Sequence, residues 1–159
     1  KNYQVLYTSI LIVAIVANLF RQFLWRPFKT LGIPILFVLH VGVFFMIISM
    51  AMELLGVDFA RASLHMLMAA GLGVVSIGIM SRVGLGHTGR VIMASKTTII
   101  SYICIVVGAL IRVFVPVANE GWYLTSLHYA SGFWTLGFIL YLVDYFRPLT
   151  SKRPDGKPY

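Results

Sequence analysis

Five stretches of this chain stay apolar for long enough to cross the hydrocarbon of a bilayer, about 30 Å, which takes roughly 20 residues of helix each. They lie near residues 3–20, 31–54, 62–81, 97–116 and 121–146. No other feature constrains the fold as strongly, because hydrocarbon offers no water to satisfy backbone N–H and C=O groups. The runs are continuous rather than alternating, which argues against a β-barrel. Only 11% of the 159 residues are charged while 59% are apolar, and mean hydropathy is +0.88. Too few charges remain to clothe a soluble domain of this size. The expected fold class is all-α: a polytopic transmembrane helical bundle of five spans over residues 1–148, with a polar tail at 149–159.

A formal net charge of +8 would suit a nucleic-acid partner, but the positions of the cations argue otherwise. Arg21, Arg26 and Lys29 lie between spans one and two, and Arg82, Arg90 and Lys96 between spans three and four. Arg147, Lys152, Arg153 and Lys157 follow span five, whereas the opposite side receives Lys1 and Arg61, with Arg112 near the end of span four. This is the positive-inside pattern. It places the C-terminus in the cytoplasm and the N-terminus outside, with the bilayer and not a nucleic acid as the partner. Glu53, Gly56 and Asp58 close span two, and Pro116, Asn119, Glu120 and Gly121 turn the chain into span five. The chain begins at Lys1 and enters span one at once. An outside N-terminus is then simplest if further helices or subunits accompany those present. The lone cysteine, Cys104, can form no disulfide within the chain, and no Cys-x-x-Cys-His offers covalent haem attachment.

Three of the four histidines, His40, His65 and His128, fall inside spans. An ionisable group in hydrocarbon is a functional candidate, and neutral imidazole offers iron a lone pair at modest desolvation penalty. The plain alternative is a neutral ring hydrogen-bonded between helices. At 1.5 Å per residue His65 lies about 5 Å and His128 roughly 10 Å below the outer boundary, with His40 roughly 20 Å from it. His65 and His128 are therefore the pair able to flank one iron, while His40 would need another partner. Span three is rich in small residues (Ala62, Ala69, Ala70, Gly71, Gly73, Ser76, Gly78), and His65, Ala69, Leu72 and Ser76 share one face. Such a strip suits tight helix packing or a flat cofactor held by His65.

The stretch Ser81-Arg82-Val83-Gly84-Leu85-Gly86-His87-Thr88-Gly89-Arg90 reads as a cytoplasmic loop. Its glycines can turn amides toward one point, and Arg82 and Arg90 add donors for a carboxylate or phosphate. A capped turn with basic residues at the interface explains it as well. Gly84-x-Gly86-x-x-Gly89 fits a dinucleotide fingerprint only superficially, since it follows a membrane helix and not a strand. Met46, Met50, Met52, Met66, Met68, Met80 and Met93 include soft donors for copper, yet no two cluster with a histidine. Arg112 is expected to reach the interface or pair with Glu120, with a haem propionate as the alternative partner.

Leu39-His40-Val41-Gly42, Leu64-His65, the glycine-rich third span, Met80 through Arg90 and the closing Arg153-Pro154-Asp155-Gly156-Lys157-Pro158 together resemble the NnrS family from about Trp25 onward. The resemblance implies a multi-pass protein of the bacterial inner (cytoplasmic) membrane, associated with haem and copper. It also implies a link to nitric oxide metabolism, nitrosative stress and denitrification. His40, His65 and His87 match family positions; His128 does not. Family members are longer, so the expectation is their C-terminal portion. The candidate site comprises His65, His40 and His128 as ligands to b-type haem, with His87, Arg82, Arg90 and Arg112 as further cofactor contacts and nitric oxide as ligand. Two readings compete with it. One is a transport or channel component with Asn18, Ser76 and His128 along a path; the other is a structural subunit of a larger complex.

Overall fold

A computed structural model describes residues 2–57 and 61–156. Lys1, Asp58 and Lys157, which enter the charge and turn readings above, lie outside the described residues. The fold is all-helical, with no strand among the described residues. Five long helices follow one another: α1 (Asn2–Trp25), α2 (Pro34–Leu54), α3 (Ala62–His87), α4 (Lys96–Ala118) and α5 (Tyr123–Thr150). Short 3-10 turns at Pro27–Thr30 and Glu120–Trp122 join α1 to α2 and α4 to α5. The first four helices are long and apolar enough to cross a membrane. Helix α5 has the length, at 28 residues, but Ser126, His128, Ser131 and Thr135 dilute its apolar character.

Helices α2, α3 and α4 enclose the core, where Ile35, Met66, Val74, Ile77, Ile105 and Ala109 are at most 1% exposed. Close approach explains much of the small-residue content. A Cβ on Gly42 would meet the Val75 side chain at 2.5 Å and its backbone nitrogen at 2.9 Å, so α2 and α3 touch backbone to backbone there. Gly108 of α4 sits equally tight on the Ala130 carbonyl of α5, 2.9 Å from where its Cβ would be. Such contacts give membrane helices the packing that hydrophobicity cannot supply inside lipid. Helix α1 stands at the edge, and Gln22 is its one buried residue.

Helix α3 departs from the sequence expectation at its C-terminal end and carries an irregular turn within its apolar run. Residues Met66–Leu72 wind as a π-helix, a widening of the turn that is common at functional sites. Helix α3 then continues to His87, through residues read above as loop. Glycine is well tolerated in membrane helices, so Gly84 and Gly86 do not stop it. Gly89 does, at a φ of 67°. The Arg90 amide donates back to the Leu85 carbonyl at 2.9 Å and the Gly89 amide to that of Gly86 at 3.2 Å. This pairing is the Schellman C-cap, which needs a left-handed residue where Gly89 stands.

Candidate functional site

Helices α3, α4 and α5 leave a cavity of about 560 Å³ between them, within the range of small-molecule and cofactor sites. Helix α3 contributes His65 and Ala69, and α4 contributes Gly108, Ala109 and Arg112. Helix α5 supplies Ala130, Ser131, Trp134, Thr135 and Phe138, with Ile139 and Leu142 at an exposed rim. The shape follows from sequence spacing. Ala130, Trp134 and Phe138 recur every four residues and so line one face of α5. On the facing helix Gly108 and Ala109 remove the side chains that would fill the gap. Trp134 and Phe138 meet edge to face, 5.4 Å between centroids.

Two of the polar lining residues, His65 and Arg112, contact each other. The His65 Nε2 lies 2.8 Å from Arg112 Nη2. A guanidinium only donates, so Nε2 is the acceptor and His65 is neutral with its proton on Nδ1. Arg112 also donates to the Tyr123 hydroxyl at 3.4 Å and lies 5.1 Å over that ring. Its partner is thus His65, not the Glu120 expected from sequence. Two donors at the cavity are buried without an acceptor: Arg112 Nη1 and Trp134 Nε1. A buried unpaired donor is costly, more so when charged. The site has the polarity that an acidic, largely apolar ligand would complement.

The other candidates lie apart from this cavity. His128 is exposed, and its Nδ1 contacts the Leu124 carbonyl of its own helix at 2.8 Å; it does not line the cavity. His65 and His128 are therefore not brought together around one space. His40 lines a smaller pocket of about 280 Å³ with Trp25, Leu36, Leu39 and Val43. Gln22 clamps it twice, its Oε1 at 2.7 Å from His40 Nδ1 and its Nε2 donating to the His40 carbonyl at 2.9 Å. That amide orientation makes Nδ1 the donor and leaves the Nε2 lone pair free.

His87 and Arg82 are exposed at the end of α3. Arg90 reaches the Pro148 carbonyl at 3.0 Å and the Ser151 hydroxyl at 2.6 Å, tying the cap of α3 to the end of α5. Arg153 donates to the His87 carbonyl at 2.7 Å and pairs with Asp155 at 2.6 Å. The Ser81–Arg90 stretch and the closing Arg-Pro-Asp-Gly segment thus form one interlocked cap. Sequence reasoning missed Trp134 and Gln22. For Trp134 the signal was the four-residue spacing with Ala130 and Phe138; Gln22 offered only its position as an amide in an apolar helix.

The NnrS protein family matches residues 3–153 of the chain. The chain belongs to the NnrS family. No curated protein and no solved structure matches it. NnrS membership points to a nitric-oxide-related membrane protein, and the match takes in α1 as well as the motif-bearing helices. The residues of this NnrS chain fit a b-type haem in one respect above all. No three His, Cys, Asp or Glu side chains gather among the described residues, so a site built wholly from such side chains is not assembled there. A porphyrin brings most of its iron's ligands with it and asks the protein for an imidazole, an apolar slot and a counter-charge for its carboxylates. His65, the α4–α5 wall and Arg112 are an imidazole, an apolar wall and a cation at one cavity, and would be the residues to hold such a group.

Proposed function

We propose that this NnrS protein is a haem-binding integral membrane protein linked to nitric oxide metabolism and nitrosative stress resistance, with b-type haem held in the α3–α4–α5 cavity by His65. The observation that carries this reading is the His65–Arg112 contact at 2.8 Å on the edge of an apolar cavity of about 560 Å³. When bound, haem supplies an iron centre able to take nitric oxide, an uncharged gas that dissolves in hydrocarbon. The chain's own groups do the rest. Arg112 keeps the His65 lone pair occupied until a carboxylate draws the guanidinium away, and its buried Nη1 is the donor that such a carboxylate would satisfy. Trp134 and Phe138 present flat apolar surface, and Ala69, Gly108 and Ala109 leave room for a planar group. The apolar walls exclude water, while the rim at Ile139 and Leu142 faces lipid, from which the gas arrives. With one histidine at this cavity, the reading favours gas binding over electron relay, which two axial histidines would serve.

In the same reading α5 crosses as the fifth span, and the basic connections and tail face the cytoplasm of the bacterial inner membrane. Visible spectroscopy of the full chain purified with haem supplied tests the assignment. The expected result is an intense Soret band that shifts on adding nitric oxide and is lost or strongly changed in His65→Ala. A colourless wild-type protein contradicts the reading and favours a transport or structural role.

A further inference from the structure

Helix α3 carries Gly71, Gly73 and Gly78 in its apolar run, and they do not all face the same neighbour. A Cβ on Gly71 would meet Met46 of α2 at 2.6 Å, and one on Gly78 would meet Leu39 and Val38 of α2 at 2.7 and 2.8 Å. Gly73 is turned toward α5. A Cβ there would lie 2.7 Å from Cζ2 and 3.2 Å from Cη2 of Trp134. From α4, a Cβ on Gly108 would lie 2.9 Å from Cδ1 of the same indole. Cδ1 and Cζ2 flank Nε1 along the ring's edge, so glycines on two helices abut that edge. At Gly73 the space left by the small-residue strip is taken by an indole of the chain itself.

Shape and not hydrogen bonding fixes the ring, because Nε1 is buried there without an acceptor. Carbon atoms pack best about 3.5–4.0 Å apart, which bare glycine allows and a methyl 2.7 Å from Cζ2 does not. An alanine at this position would displace the indole by about 1 Å. Trp134 already meets Gly108 on α4 and Phe138 on the next turn of α5, and it lines the His65 cavity. The open direction is therefore into the cavity.

We infer that Gly73 is a positioning residue for this cavity: it seats Trp134 against α3 and keeps the indole out of the space a planar ligand would take. Gly108 supports the same ring from α4. The inference rests on the proposed function, since it names what sets the width of the slot for haem. Affinity at the His65 cavity then depends on a residue that does not line it and has no side chain.

Gly73→Ala, Trp134→Phe and the double variant test it, each as the full chain in lipid nanodiscs. Phenylalanine lacks the outer indole atoms that the new methyl would strike. Haem titrations followed by absorbance should show affinity lower by about tenfold or more in Gly73→Ala, the scale of an overpacked contact. In the double variant, affinity should return to within about twofold of Trp134→Phe alone, because the two positions are coupled. The ring itself is read without ligand, by the Trp134 indole N–H resonance of 15N-tryptophan protein. That resonance is assigned by its loss in Trp134→Phe and should shift in Gly73→Ala. An unmoved resonance overturns the inference whether or not haem binds. So does a haem affinity unchanged by Gly73→Ala, or a loss that Trp134→Phe fails to relieve, which would make Gly73 a general packing position. A wild type that binds no haem overturns the proposed function and the ligand half of this inference, whereas the resonance still decides the seating of Trp134.

Discussion

Arg112 holds His65 at 2.8 Å and leaves Nη1 buried without an acceptor, so in the proposed reading the same side chain masks the imidazole and receives the carboxylate of the ligand. Charge-assisted hydrogen bonds to carboxylates are worth about 1.5–3 kcal/mol, and each 1.4 kcal/mol is about tenfold in affinity. Haem should therefore bind the wild type about tenfold or more tightly than haem dimethyl ester, whose carboxylates are blocked. Arg112→Gln should erase the difference, as titrations followed by absorbance would show; equal affinities in the wild type would remove Arg112 from the site. The histidines were legible as candidates because ionisable groups in apolar runs stand out. What sequence left open was which partner each ring faces. Depth alone pairs His65 with His128, whereas the rotation of α5 turns His128 outward and Trp134 inward, and rotation depends on packing against α4.

Element boundaries show where hydropathy misleads. The apolar runs locate the helices because lipid demands internal backbone pairing, but the glycines of Ser81–Arg90 read as loop when two of them are helical. Gly86 and Gly89 separate the two roles. A Cβ on Gly89 would lie 2.8 Å from the Asp155 carboxyl carbon on a backbone with φ of 67°. Gly89→Ala should lose about 1–2 kcal/mol from the left-handed conformation alone, lowering the melting temperature in detergent. At Gly86 the nearest contact is Ile92 at 3.7 Å. Gly86→Ala should be neutral or gain up to about 1 kcal/mol of helix propensity. Similar losses at both positions would show that the stretch acts as something other than a helix and its cap. Helix α5 was located by its run at 121–146 and is helical over Tyr123–Thr150, but Ser131 and Thr135, which line the cavity, also lower its hydropathy.

At the scale of the whole molecule, the proposed reading gives the basic residues and the cavity separate tasks: one would orient the chain in the bilayer, the other would hold the cofactor. Lys152 is exposed beyond α5, so Lys152→Cys in a Cys104→Ala background reports the side of the tail. A membrane-impermeant maleimide should label it only when the cytoplasmic face is accessible; labelling of intact spheroplasts would reverse the orientation. The most direct test of the proposed haem site is pulsed electron paramagnetic resonance of haem-loaded protein containing 15N-histidine. An imidazole 15N coupling to iron should be present in the wild type and persist in His40→Ala and His128→Ala, but vanish in His65→Ala. A coupling that survives loss of His65 would place the iron elsewhere and contradict the site described above.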